Sequence, residues 1–187
     1  MAKILQANLI DKSKVGTDQQ VADLLEQINN IRGTETMDHT NPLCWRSGYR
    51  YNNIDWLLDE IKDAVRQSVD VYKDDLVFYN SVVSTNFSVN YWTNVNQPGS
   101  RNVMHSHNSA SLSGVYYIQG TGTGELRILN PANIIGTCYE KSPFVRDFVF
   151  DPKDRDLIMW PSWLPHEVET NLSDKERINI AYDVTFL

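Results

Sequence analysis

The sequence predicts a mainly β, α+β fold: a sandwich or barrel supported by helices from its N-terminal side. After Asp75 the chain breaks into short runs rich in Val, Ile, Thr, Tyr, Phe and Trp, separated by Gly, Pro, Asn and Ser clusters. No helical pattern lies between those runs, which is the texture of a β domain and not of alternating β–α units. Ahead of them stand two stretches whose apolar residues recur at helical spacing.

The first helix starts at Thr17, three residues before Gln20, an arrangement that resembles a capping box. Val21, Leu24, Leu25 and Ile28 form its apolar stripe, which ends near Gly33. From Gly33 to Asn52 the chain is polar and aperiodic, long for a plain connection, and predicts a lid or binding loop. A second helix is expected over 53–72, on Ile54, Leu57, Leu58, Ile61, Val65 and Val69. Strands are predicted near 76–83, 86–95, 102–107, 112–119, 125–129, 147–150, 156–160, 166–170 and 177–186. The segment 130–142 interrupts them and reads as a surface loop or, with 33–52, a mobile cover. The whole, 1–187, is expected to be a single domain, with 1–75 as mainly helical support and 76–187 as the β core.

Composition bounds the function. A chain of 187 residues and 21.5 kDa, 41% apolar and 22% charged, suits one ordered globular unit. Seventeen basic against 24 acidic side chains give a formal charge of -7, and no Lys or Arg run breaks that balance, so nucleic acid is excluded as the main partner. Cys44 and Cys138 are too few for a disulfide scaffold and too far apart for a CxxC motif. Gln6 and Asn8 interrupt the apolar start, and no stretch nears the ~18 apolar residues of a membrane span. The expectation is a soluble protein of a reducing, cytoplasm-like compartment with no membrane partner.

Three of the four histidines lie in the β region: His105, His107 and His166. A His-x-His on a strand puts both imidazoles on one face, and a third from another strand completes a facial nitrogen set with open positions. His166 follows an apolar strand that turns at Pro161. Eleven residues later, alternation over 177–186 places Ile178, Ile180, Tyr182, Val184 and Phe186 on one face and Arg177, Asn179 and Ala181 on the other. A guanidinium on such a strand faces the interior, and burying it without an anion costs several kcal/mol. Its partner is either a protein Asp or Glu, or the carboxylate of a ligand.

The series His105-x-His107, Ser113-Gly-Val-Tyr-Tyr117-Ile, Gly124-Glu-Leu, Asp156-Leu-Ile-Met-Trp160, Pro165-His-Glu-Val168 and Arg177-x-Asn179 resembles the iron(II)- and 2-oxoglutarate-dependent oxygenases, above all prolyl-hydroxylase-like and phage-carried members. The resemblance covers about 90–187. It implies a double-stranded β-helix (jelly roll), Fe(II) held by His105 and His166, and 2-oxoglutarate held through its far carboxylate by Arg177, with help from Asn179 and Tyr117. It also implies a dioxygenase that hydroxylates a C–H bond with O2 while converting 2-oxoglutarate to succinate and CO2. The primary substrate on this reading is a peptidyl, prolyl, side chain, or else another peptide, protein or small molecule. A phage origin would place the protein in the host cytoplasm. Asn90, Trp92, Asn94 and Arg101, on the approach to His105, and Trp163, beside Pro161, are candidates for the substrate pocket.

His107 departs from the family, which carries Asp or Glu there. No Asp or Glu occurs between Ser84 and Gly124 to stand in for it. His107 is read as the third ligand, making the site one charge more positive than the common one; a role facing substrate or behind the ligands stays open. Glu167 should point to the opposite face from His166. Two other readings compete. A cupin-type three-His metalloenzyme without 2-oxoglutarate fits Gly99-x5-His105-x-His107, but has no need of Arg177. A non-catalytic β-sandwich binding module would make the histidines structural.

Overall fold

The computed structural model describes residues 9–32, 43–48, 50–76, 86–130 and 147–187. Thr17 caps the first helix, α1 (Asp18–Ile31), in a complete capping box: its hydroxyl accepts from the Gln20 amide, and the Gln20 side chain accepts from the Thr17 amide. Such a cap stabilises a helix by about 1 kcal/mol. The second helix, α2 (Asp55–Leu76), runs past the expected end at 72, because neither Gly nor Pro follows to stop it. The strand expected from 76 therefore begins in a helical residue, and its remainder lies outside the described residues, as do 33–42, 49 and 131–142 of the two expected covers.

Ten strands occur among the described residues: β1 (Ile10–Lys12), β2 (Cys44–Ser47), β3 (Phe87–Asn96), β4 (Asn102–His105), β5 (Leu112–Gln119), β6 (Leu126–Ile128), β7 (Phe148–Phe150), β8 (Leu157–Pro161), β9 (His166–Val168) and β10 (Arg177–Phe186). β1 and β2 correct the sequence reading, which had no strand in either place. Both are short sheet edges ordered by a neighbour, Ile10 opposite Met159 and Cys44 opposite Asn96. Three or four residues carry too little periodicity to be read alone.

The strands form two antiparallel sheets, one ordered β1-β8-β5-β10-β3-β2 and the other β4-β9-β6-β7. This is the expected double-stranded β-helix. Alternation along β10 sorts its residues as expected: Ile178, Ile180, Tyr182 and Val184 pack with Leu24, Ile28, Leu57 and Ile61 of the two helices. Each such buried side chain contributes about 1.5–3 kcal/mol. Between the sheets, Val115, Tyr117, Ile158 and Trp160 meet Leu126, Ile128 and Leu164 in a second apolar cluster. The helices thus cover one face of the larger sheet and leave its other face to the space between the sheets. No helix among the described residues is long and apolar enough to cross a membrane.

Candidate active site

Three imidazoles converge at one end of the inter-sheet space. β4 and β9 are paired, with His105 opposite His166 and a register shift between Asn102 and His105. His107 arrives differently from the sequence expectation: β4 stops at His105, so strand alternation does not place it. Its amide instead donates to the Ser162 carbonyl at 3.0 Å. Ring centroids stand 4.3 Å apart for His105 and His166, and 5.2 Å for His107 with each of the others. The ligand nitrogens all lie within 4.8 Å of one another.

The second nitrogen of each ring is already engaged. His105 Nδ1 is 2.7 Å from the Val103 carbonyl and His166 Nδ1 is 3.1 Å from the Leu164 carbonyl. A carbonyl only accepts, so both rings carry their proton on Nδ1 and present a bare Nε2. His107 Nδ1 lies 2.6 Å from Asp183 Oδ1, and Ser113 Oγ lies 2.6 Å from the same oxygen. These outer contacts orient metal-ligating imidazoles and fix their tautomer. Desolvation, then the neighbouring His105, pushes His166 down to about 4, and desolvation in the cleft also lowers His105. Both rings are neutral at pH 7, the form that binds metal. Three imidazole nitrogen donors on one side of an open cleft fit iron(II).

A cavity of about 780 Å³ opens in front of the triad. Tyr117 and Asn179 line it, and Asn94 donates to Asn179 Oδ1 at 3.0 Å across β3 and β10. Burial pushes the Tyr117 phenol up to about 12, so it remains a hydrogen-bond donor. Arg177, 0% exposed, is not among the lining residues. Its Nη1 donates to the carbonyls of Thr123 at 2.6 Å and Glu169 at 3.2 Å, and its Nη2 to Asn102 Oδ1 at 3.2 Å, while its Nε has no partner. No carboxylate pairs with it among the described residues. Gly124, at φ +107°, lets the chain pass here; a Cβ would sit 2.8 Å from the Glu169 carbonyl.

Of the other pocket candidates, Trp92, Asn94 and Arg101 line the cavity. Asn90 instead accepts from Arg50 at 3.1 Å, and Trp163 is 54% exposed on the β8–β9 turn; neither belongs to the wall. Glu167 faces Arg127 at 3.7 Å, away from the histidines. Sequence reasoning missed Asp183, which continuing the Arg177, Asn179, Ala181 alternation by one step would have found. It also missed Arg46, in an aperiodic stretch that carries no such signal.

Comparison with known proteins agrees with this geometry. A sequence profile of the family described as "Putative 2OG-Fe(II) oxygenase" matches residues 90–183. Among solved structures, the chain is similar to a prolyl-4-hydroxylase of Pseudomonas putida (TM-score 0.64, 14% identity, 97% of this chain and 94% of that one). It is also similar to HygX of Streptomyces hygroscopicus, crystallised with nickel and 2-oxoglutarate (TM-score 0.61, 12% identity, 96% and 83%). A third is a prolyl hydroxylase of Trichoplax adhaerens in complex with a hypoxia-inducible-factor peptide fragment (TM-score 0.63, 13% identity, 95% and 83%). No curated protein sequence matches. With a matching profile over half of its length and three imidazoles in one inter-sheet cleft, the chain belongs to the Fe(II)- and 2-oxoglutarate-dependent oxygenases.

Proposed function

We propose that the protein hydroxylates an unactivated C–H bond of a peptidyl side chain, proline being the first candidate, while 2-oxoglutarate is converted to succinate and CO2. One oxygen atom of O2 enters the product and the other enters succinate, so the reaction balances without a further reductant. The observation that carries this reading is the pairing of three imidazoles beside the cavity with a buried guanidinium behind its wall that has no carboxylate partner among the described residues. The prolyl hydroxylases among the similar structures support hydroxylation, although an epimerase and a carbocyclase share the fold.

His105, His107 and His166 hold Fe(II) through Nε2. Bound iron(II) supplies oxygen activation, and 2-oxoglutarate supplies the two electrons that balance it. Tyr117, Asn179 and Arg177 receive the far carboxylate of 2-oxoglutarate, the phenol as donor and the guanidinium as countercharge. A desolvated Arg–carboxylate pair offsets the cost of burying Arg177, which main-chain carbonyls meet only in part. Asp183 holds His107 in orientation and places a negative charge one hydrogen bond behind a centre that lacks a carboxylate ligand.

Calorimetric titration of the Mn(II)-loaded protein with 2-oxoglutarate tests this. The expected result is binding that Arg177→Ala weakens about tenfold or more, Arg177→Lys weakens less, and neither does by releasing Mn(II). Failure of the native protein to bind 2-oxoglutarate would refute the reading. Incubation with proline-containing peptides, followed by mass spectrometry for one added oxygen, then tests the substrate class.

A further inference from the structure

Two arginines line the cavity of an acidic chain. Among the described residues, the formally charged side chains lining it are Arg46, Arg101 and Asp183. Asp183 is already engaged by His107 and Ser113, while the chain as a whole carries -7. Low-dielectric walls concentrate such a local field and raise the concentration of ligands of opposite sign.

Arg46 carries the argument. Pairing of β2 with β3 sets it opposite Asn94, and its guanidinium lies over the Trp92 ring, 4.6 Å from the centroid. The Trp92 ring in turn stands 5.9 Å from that of His107. No residue among those described gives the Arg46 guanidinium an ion pair or a hydrogen bond. Arg50 is the internal control. It too lies on an aromatic ring, Tyr91 at 4.3 Å, yet it donates to the Tyr91 carbonyl and to Asn90 Oδ1, each at 3.1 Å. Stacking therefore does not by itself leave a guanidinium unspent in this protein. A half-buried guanidinium held over tryptophan at the wall of a cavity, with its donors unused among the described residues, is a preorganised fork for an oxyanion.

We propose that Arg46 takes a carboxylate of the primary substrate, so that the molecules oxidised here are acids whose apolar part lies along Trp92, between Arg46 and the three histidines. This rests on the oxygenase reading and adds the substrate's charge to it. The carboxylate belongs either to a free small-molecule acid or to an acidic residue of a peptide, and the two are separable.

The test is calorimetric titration of the Mn(II)- and 2-oxoglutarate-loaded protein with matched probes. One arm compares N-acetyl-L-prolinate with N-acetyl-L-prolinamide. The other compares the peptide amides acetyl-Glu-Pro-Glu and acetyl-Gln-Pro-Gln. The expected result is that the acid binds about tenfold or more tightly than its neutral partner in one arm. That arm identifies the source of the carboxylate. Arg46→Gln should abolish the preference and Arg46→Lys should keep part of it, both retaining native affinity for 2-oxoglutarate. An absence of acid preference in both arms, or a preference that survives in Arg46→Gln, overturns the inference and leaves the oxygenase reading standing. Loss of 2-oxoglutarate affinity in Arg46→Gln overturns it by assigning Arg46 to the cosubstrate. Failure of the native protein to bind 2-oxoglutarate overturns both.

Discussion

Asp183 does for His107 what main-chain carbonyls do for His105 and His166: it occupies Nδ1 and leaves Nε2 to the cleft. The difference is charge: a carboxylate, and not a neutral carbonyl, stands behind the His107 ring. Removing that charge while keeping the shape isolates the effect. Asp183→Asn should weaken Mn(II) binding about 10- to 100-fold, measured by competition with a chelator, while the folded protein persists. His107→Asp should bind metal as well as the native protein or better, because it restores a carboxylate at the site. If His107→Asp fails to fold, the histidine is a structural element and not a ligand.

At the scale of elements, the site depends on how closely β5 fits between β8 and β10. Gly114 faces Met159 on one side and Tyr182 on the other. A Cβ there would stand 2.2 Å from Tyr182 Cζ and 2.6 Å from the Ile158 carbonyl. A strand carbonyl cannot retreat without breaking its ladder, and Tyr182 is 0% exposed in the core shared with the helices. Gly114→Ala should therefore destabilise the protein by about 1–3 kcal/mol, read from urea unfolding. The same close fit sets Ser113 against Asp183, so part of the His107 alignment is inherited from packing on the opposite face of one strand.

For the whole molecule, the two sheets form the site jointly. His105 and His166 come from the four-stranded sheet, while Asp183, Asn179 and Tyr117 come from the six-stranded one. Ligands that bridge the sheets bind only the folded chain and must raise its stability. Mn(II) with 2-oxoglutarate at about 100 times its dissociation constant should add about 2.7 kcal/mol, seen as a higher melting temperature than with Mn(II) alone. An unchanged melting curve would mean that no ligand spans the sheets.

Much of this was legible in the sequence because it depends on local periods. Alternation over 177–186 sorted β10 into a core face and a site face. Helical spacing and Thr17 located α1, and the ordered motifs from His105 to Asn179 carried the family. What tertiary structure alone decided was everything that depends on a partner remote in the chain. β1 and β2 are strands because β8 and β3 offer free edges to them. His107 joins the triad through Ser162 and Asp183, not through its own strand. Arg46 reaches the cavity only because β2 pairs beside Trp92. A short segment of sequence records the preferences of its own backbone, whereas contacts such as Ile10 with Met159 or His107 with Asp183 form only when the sheets close.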